Sequence, residues 1–315
     1  MYKLDQLNKQ GFTILKNAFP KEMADQVKNE YKKSIKNWGN DIKNFKKDNG
    51  RYMRLANFHN INKSVQELFN YPKELHELCS SFFLQKDISI YTSLFFQEGT
   101  EQDIHRDAPL FCTYPENNFL GCWFALEDTS QLNGSLAVIP KGHNYLKDEE
   151  ISLRKITTNH FYKSLPNREI GFNEPELWVK YQELVQTFCR EKGLKTITLP
   201  VSKGDIIVWH PMLPHGGSPI KKRKSTRYSI VFHVVPNKMR VYGNDLFFEK
   251  EKFNNFLEVP PSIALSKSVF MQIQTCNFMD EGRQNLQDNI ISKSKNYLKN
   301  KIIKVKSKLK GILKK

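Results

Sequence analysis

The feature that most constrains the fold is a series of short, strongly apolar segments between residues 88 and 236, separated by Gly, Asn and Pro turns. Short β-rich segments at near-even spacing favour a sandwich or barrel over a sheet with helical crossovers. Asn133-Gly134 is a strong signal for a tight turn between two of these segments. The predicted strands cover residues 88–96, 120–126, 135–139, 197–201, 205–209 and 228–235.

The remaining patterns predict helices around this β region. Residues 3–10 and a stretch from Pro20 have helical patterns, 11–15 a short strand, 40–60 a loop, and 63–84 a helical period. We therefore predict a mainly β protein with flanking helices. The predicted organisation is one domain over 1–250 (helical support 1–87, β core 88–236, lid-like insert 145–195), a helical or irregular extension over 251–289, and a tail over 290–315.

Composition narrows the class of protein. The 39% apolar content over 315 residues is enough for a sizeable core. Five cysteines without a CxxC pair indicate reduced thiols rather than a disulfide framework or a zinc knuckle. Neither an N-terminal apolar signal region nor a window of about 18 apolar residues is found, so we expect a cytoplasmic protein, soluble or peripheral to the membrane.

The net charge of +16 is uneven, because lysines concentrate before residue 50 and after residue 290. In the tail 290–315, apolar residues fall on one helical stripe among lysines, which predicts a basic amphipathic helix. This helix could contact the anionic inner membrane face, remain a solvated tail, or pack on a second protomer. Nucleic acid is not an expected partner, because the lysines lack interleaved aromatic residues.

Three side chains far apart in the sequence predict a metal centre. His105 and Asp107 would share a face if their segment is extended, although an HxD pair alone is a weak signal. His215 follows the apolar strand 205–209. Two imidazoles and one carboxylate can hold Fe(II) on one face and leave coordination positions open, as non-haem Fe(II) oxygenases require.

His210 is the alternative to His215, since it lies at the end of the same strand and could equally be a core histidine. We favour His215 because of its spacing before Arg227. Gly216 and Gly217 would allow the backbone to pass close to something bound.

Arg227 begins the last apolar strand, where a buried guanidinium needs a partner such as a carboxylate. Ser229 would face the same side. The alternative is a surface arginine continuing the basic run 221–224.

The stretch from about 88 to 236 resembles the phytanoyl-CoA dioxygenase family of Fe(II)/2-oxoglutarate oxygenases, which implies a double-stranded β-helix (jelly roll, cupin-like) core. The resemblance rests on the order and spacing of four motifs, and the opening 11–19 also fits. It implies that His105, Asp107 and His215 are metal ligands, that Arg227 binds 2-oxoglutarate, and that Trp123 lines the co-substrate pocket or is simply core. The motifs are QDIHRD (102–107), CWFALED (122–128), NGSLAVIPKGH (133–143) and GDIIVWHPMLPHGGS (204–218).

The expected activity is a dioxygenase that uses Fe(II), 2-oxoglutarate and O₂. It would hydroxylate an unactivated C–H of a small-molecule, lipid-linked or glycan-type substrate and release succinate and CO₂. Asp107 fills the position that halogenating relatives leave open, so hydroxylation is favoured over halogenation. Two alternatives are compatible with the same residues: an epimerase or desaturase with the same cofactors, and a non-catalytic jelly-roll binding or sensor module.

Overall fold

Two antiparallel β-sheets form the centre of the computed structural model, which describes residues 2–251 and 276–279. A third, two-stranded sheet lies outside them. The strands are β1 Phe12–Leu15, β2 Arg54–Ala56, β3 Ile88–Phe96, β4 Cys112–Thr113, β5 Leu120–Ala125, β6 Leu136–Val138, β7 Ile197–Leu199, β8 Ile206–Trp209, β9 His215–Gly217, β10 Ser229–Pro236, β11 Val241–Tyr242 and β12 Asn277–Met279.

The large sheet has seven strands in the order β1-β8-β5-β10-β3-β2-β12, and the small sheet has three in the order β7-β6-β9. Every pair in these sheets is antiparallel. The two sheets form the jelly-roll core that the sequence predicts.

Helices flank the sheets. They are α1 Tyr2–Gln10, α2 Lys21–Trp38, α3 Lys63–Asn70, α4 Lys73–Phe83, α5 Gly142–Tyr145, α6 Glu150–Ser164, α7 Pro175–Glu191 and α8 Asn244–Phe248. Short 3₁₀ turns cover Gly39–Phe45 and Phe58–Asn60. None of the helices in the described part of the chain is long and apolar enough to cross a membrane.

Alternating side chains give the large sheet two buried faces. In β5, Leu120, Cys122 and Phe124 join the core beneath α2, α3 and α4, whereas Trp123 and Ala125 face the small sheet. The same alternation runs through β8 and β10, because neighbouring residues of a strand point to opposite sides. The interior between the sheets is therefore lined by every second residue of three central strands.

The structure differs from the predicted elements in several places. The helical pattern 63–84 forms two helices that break at Tyr71 and Pro72, because proline cannot continue a helix. The predicted loop 40–60 contains strand β2, which lies between β3 and β12 in the large sheet. Gly134 does turn with φ of +84°, but the turn leads from the large sheet to the small one instead of closing a hairpin.

The insert contains α6 and α7, which pack on each other and share an apolar core with residues of β4, β11 and α8. Within the range predicted as a helical or irregular extension, β12 instead pairs with β2. The rest of that extension and the predicted amphipathic helix at 290–315 lie outside the described residues, and the division into domains stays a prediction.

Candidate metal centre

The two predicted histidine ligands lie side by side because their backbones pair. His105 N donates to His215 O at 2.8 Å, and His215 N donates to His105 O at 2.9 Å. The segment around His105 is an extended stretch with this single bridge rather than a regular strand. The ring centroids of the two imidazoles are 4.5 Å apart.

The two glycines after His215 allow this pairing because they have no side chains. A Cβ at Gly216 would lie 2.5 Å from Gln102 O, and one at Gly217 would lie 3.0 Å from Gln102 N. The close approach predicted from the glycines is therefore to the chain that carries His105, and not to a bound molecule. Residues with side chains would force the two ligand segments apart.

His105, Asp107 and His215 form a group whose potential ligand atoms all lie within 4.8 Å of one another, and all three are buried. Nε2 of His105 is 3.5 Å from Asp107 Oδ1, and Nε2 of His215 is 3.5 Å from Asp107 Oδ2. Such separations allow one ion to bond the three groups at the usual distances of about 2.0–2.2 Å.

Hydrogen bonds fix which nitrogen of each imidazole faces the cluster. Nδ1 of His105 lies 2.8 Å from Asp103 O, and Nδ1 of His215 lies 3.0 Å from Leu213 O. A carbonyl oxygen only accepts, so each Nδ1 carries a proton and Nε2 is the nitrogen left to bind a metal. Burial lowers the pKa of His215 to about 4, so this ring is neutral at pH 7.

Two further side chains hold the carboxylate. The indole N–H of Trp209 donates to Asp107 Oδ2 at 3.0 Å, and His233 Nε2 lies 3.4 Å from the same oxygen. Burial acts to raise the pKa of Asp107, but the adjacent histidines, His215 first, outweigh it and keep the pKa well below its usual value. A carboxylate that stays ionised is a competent ligand for a cation.

Room for the Trp209 indole comes from Gly121, its partner across β5 and β8. A Cβ on Gly121 would be 2.1 Å from Trp209 Cε2. The small residue on one strand thus lets the large one on the next reach the site.

Trp209 and His233 are not among the site residues predicted from the sequence. Each has a signal in hindsight: Trp209 ends the strand before His215, and His233 lies an even number of residues beyond Arg227 in a strand. His210 lies outside the cluster. Its Nδ1 accepts from Met212 N at 3.1 Å, and its ring packs beside His143 and Phe82.

Arg227 is buried, with only 3% of its surface exposed, and is not a surface arginine of the basic run. Its Nη1 donates to Gly134 O at 2.8 Å. The guanidinium carbon lies 5.5 Å from the ring centroid of Trp123 and 5.9 Å from that of Phe96. Trp123 thus stands beside the predicted anchor, as part of the core between the sheets.

Unsatisfied hydroxyls lie near this arginine. Ser229 Oγ is buried and has no hydrogen-bond partner among the described residues. The same holds for Ser135 and Ser218, which adjoin each other through a backbone hydrogen bond next to Gly134. Buried hydroxyls normally have a partner, so this region fits a ligand with several acceptor oxygens.

Arg106, between two of the predicted ligands, points the opposite way. It is fully buried and donates to Glu150 of α6 at 2.7 Å and to Tyr181 of α7 at 3.1 Å. Glu150 also borders a cavity of about 770 Å³, whose lining includes His143, His210 and Arg154 but none of the three predicted ligands. That cavity is therefore separate from the metal centre.

Two aromatic side chains pack against histidines of the site. The ring of Trp178, on α7, is 5.9 Å from that of His105. Phe111 stacks on His233 with ring centroids 4.1 Å apart. The insert thus contributes directly to the surroundings of the candidate metal ligands.

Comparisons with known proteins agree on the family. The family model "Phytanoyl-CoA dioxygenase (PhyH)" matches residues 7–227. A phytanoyl-CoA dioxygenase domain-containing protein 1 homolog of Dictyostelium discoideum is 28% identical over 198 residues, which are 62% of this chain and 63% of that protein. The peroxisomal phytanoyl-CoA dioxygenase of Homo sapiens is 24% identical over 239 residues, which are 71% of this chain and 64% of that protein. The matches thus span less than two thirds of either relative.

Among solved structures, the epimerase SnoN in complex with Fe³⁺, alpha ketoglutarate and nogalamycin RO shares the fold. The TM-score is 0.55 at 13% identity, covering 87% of this chain and 96% of that one. A likeness at this identity concerns the fold alone. Since the family model extends over more than half of the sequence, this chain belongs to the phytanoyl-CoA dioxygenase (PhyH) family.

Proposed function

We propose that this protein is an Fe(II)- and 2-oxoglutarate-dependent dioxygenase that hydroxylates an unactivated C–H of a small molecule. The observation that carries the proposal is the buried group of His105, Asp107 and His215, in which both imidazoles direct Nε2 toward one carboxylate. Membership of the PhyH family supports the same class of enzyme.

The donor set fits ferrous iron. Two neutral imidazoles and one carboxylate are the ligands found in non-haem Fe(II) oxygenases, where the bound metal supplies O₂ activation. His105 and His215 would bind through Nε2 and Asp107 through a carboxylate oxygen. Trp209 and His233 would hold Asp107 in place, and Arg106 contributes nothing to the ion because it faces α6 and α7.

The buried arginine fits the far carboxylate of 2-oxoglutarate. A guanidinium pairs well with a carboxylate, and Ser229 Oγ is a donor without a partner among the described residues. Trp123 would form one wall of this pocket, since its ring lies 5.5 Å from the Arg227 guanidinium carbon. The residues between the two sheets would therefore orient the co-substrate.

In the overall reaction, R–H, O₂ and 2-oxoglutarate yield R–OH, succinate and CO₂. One oxygen atom enters the alcohol and the other enters succinate, and the decarboxylation of the 2-oxo acid supplies two electrons. Trp178 and Phe111 would form an apolar wall that excludes water from the substrate C–H.

Binding of the cofactors is tested by anaerobic titration of the apoprotein with Fe(II) and 2-oxoglutarate. We expect a weak visible absorption band that requires both components and is absent in His105→Ala. The matched control is His160→Ala, an exposed histidine of α6, which should keep the band. If the wild-type protein gives neither this band nor succinate in air, the proposed function is wrong.

The type of reaction is tested by product analysis in ¹⁸O₂. Hydroxylation adds one labelled oxygen to the product, whereas an epimerase or a desaturase adds none. Succinate formation with an unlabelled, isomeric product would support the proposed cofactors but show that the reaction is an epimerisation and not a hydroxylation.

A further inference from the structure

We propose that Gln182, assisted by Gln186, is a positioning residue that holds the metal-ligand segment from the insert helix α7. The inference rests on the proposed metal site. It assigns the insert a role in the geometry of His105 and Asp107, in addition to covering the site.

The backbone around His105 has two sides. In extended chain, the N–H and C=O groups of successive residues point in alternating directions. The groups of His105 pair with His215 on one side. Those of Ile104 and Arg106 therefore point the other way, where a sheet would place a neighbouring strand.

Side chains of α7 take the place of that strand. Arg106 N donates to Gln182 Oε1 at 2.8 Å, and Gln182 Nε2 donates to Arg106 O at 3.0 Å. One carboxamide thus pairs with both backbone groups of a single residue, as a strand residue would. Gln186 Nε2 adds a hydrogen bond to Ile104 O at 2.7 Å.

Because these groups are buried, water cannot replace their hydrogen bonds. Gln182 and Arg106 are both 0% exposed, so the backbone groups of Arg106 have no access to solvent as a substitute. Glutamine is usually an exposed residue. Its complete burial with both ends of the amide satisfied by one backbone residue indicates a specific function at this position.

One face of α7 is directed at the ligand segment. Trp178, Gln182 and Gln186 recur at intervals of four, and all three contact residues between Ile104 and Arg106. Trp178 touches the His105 ring and Gln182 holds the next residue. A shift of α7 would therefore move the side chains on both sides of Arg106, which are two of the three predicted ligands.

The test is the affinity of the apoprotein for Co(II), measured by its visible absorption, in Gln182→Met. Methionine keeps the length of the side chain and removes both hydrogen bonds. We expect Co(II) to bind about 10–100-fold more weakly, the usual effect of losing a residue that orients metal ligands, with an altered Co(II) spectrum. Gln186→Met removes one hydrogen bond and should have a smaller effect in the same direction.

Gln66→Met is the matched control. Gln66 Nε2 donates to His59 O at 2.7 Å, the same kind of contact on a different helix. Gln66→Met should bind Co(II) like the wild type. Thermal unfolding followed by circular dichroism identifies any variant that does not fold. If Gln182→Met is such a variant, Gln186→Met and Gln182→Glu, which keeps the acceptor and loses the donor, decide the question.

Folded Gln182 and Gln186 variants with wild-type Co(II) affinity and spectrum would overturn the inference. Absence of Co(II) binding by the wild type would do the same. The readout needs no turnover, so a wild type that binds Co(II) but gives neither the Fe(II)/2-oxoglutarate absorption band nor succinate would refute the proposed activity alone. In that case, weaker binding by Gln182→Met would still support the positioning role.

Discussion

The two ends of the candidate site differ in how many of their polar side chains already have hydrogen-bond partners in the protein. At the metal end, the ligand side chains have fixed partners: backbone carbonyls for both imidazoles, and Trp209 for Asp107. At the arginine end, Arg227 bonds Gly134, while the buried hydroxyls of Ser229, Ser135 and Ser218 have no partner among the described residues.

This difference indicates two modes of binding. The metal end is preorganised, so the ion would enter a site whose geometry already exists, at low cost in ordering. The arginine end is incomplete without a ligand, so a dicarboxylate would gain hydrogen bonds that the protein otherwise forgoes. Mutations at the two ends should consequently separate metal affinity from co-substrate affinity.

The largest effect is expected from His215→Ala. Removing one of the three proposed ligands should abolish measurable Fe(II) binding and lower succinate formation more than about 1,000-fold, as loss of a metal ligand removes the chemistry that the ion supplies. The control is His210→Gln, which changes the competing histidine outside the cluster. Loss of Fe(II) in His210→Gln together with its retention in His215→Ala would mean that the wrong histidine has been assigned.

Arg227→Met should weaken the binding of 2-oxoglutarate and leave metal binding unchanged. Loss of a buried partner for a carboxylate costs about 3–4 kcal/mol, or a few hundred-fold in the dissociation constant. Titration of the Fe(II) protein with 2-oxoglutarate under anaerobic conditions measures this effect, and Co(II) affinity should remain within about threefold of the wild type. A matching drop in Co(II) affinity would contradict the separation of the two ends.

His210 predicts a pH dependence that does not involve the metal. Burial, followed by the charges of His143 and Arg106, lowers the pKa of His210 to about 3 from an ordinary value of 6.5. Between these pH values the unfolded chain binds the proton and the folded chain does not, so acid destabilises the fold. We expect the free energy of unfolding of the apoprotein to fall by about 3 kcal/mol from this group between pH 6.5 and pH 4.

Urea unfolding at several pH values checks this expectation. In His210→Gln the stability should depend less steeply on pH, although His59, whose pKa burial lowers to about 4, leaves a residual slope. Identical slopes in the variant and the wild type would show that His210 titrates normally in the folded protein.

Trp209→Phe should have a moderate effect at the metal end. Phenylalanine retains an aromatic ring opposite Gly121 but lacks the N–H that donates to Asp107 Oδ2. We expect Co(II) affinity to fall about tenfold, with 2-oxoglutarate affinity at fixed metal saturation little changed. Unchanged Co(II) affinity would show that His233 and the fold hold the carboxylate without the indole.

The sequence allowed the long central strands and the cluster of His105, Asp107 and His215 to be predicted because their signals are local or chemically rare. The run Ile88–Phe96 is apolar and bounded by polar turns, and the strand has those bounds. His105, Asp107 and His215 are identifiable because few residue types bind Fe(II). Arg227 is identifiable because a charge at the start of an apolar strand requires a partner.

The supporting contacts could not be predicted in the same way. Gln182 lies 76 residues from Arg106 in sequence, and a glutamine in an amphipathic helix usually faces solvent. Trp209 looks like an ordinary core residue until the opposing Gly121 is known. β2 and β12 are three-residue strands at the edge of the large sheet, too short to give a periodic pattern. Each depends on tertiary packing rather than on local sequence.

Ser229→Ala should have the smallest effect of these substitutions. It distinguishes the two ends most directly, because it should change the stability of the apoprotein and the affinity for 2-oxoglutarate in opposite directions. Without a ligand, the buried hydroxyl of Ser229 has no partner among the described residues, so replacing it with a methyl group should leave the apoprotein as stable as before or stabilise it by about 1 kcal/mol. With 2-oxoglutarate bound, the lost donor should weaken affinity about three- to tenfold. Thermal unfolding with and without the co-substrate measures both quantities in one series.

At the metal end no such sign change is possible, since Trp209 and Asp107 are already paired before any ion binds. If Ser229→Ala instead destabilises the apoprotein by more than about 1 kcal/mol, the hydroxyl has a protein partner, and the arginine end is as complete as the metal end.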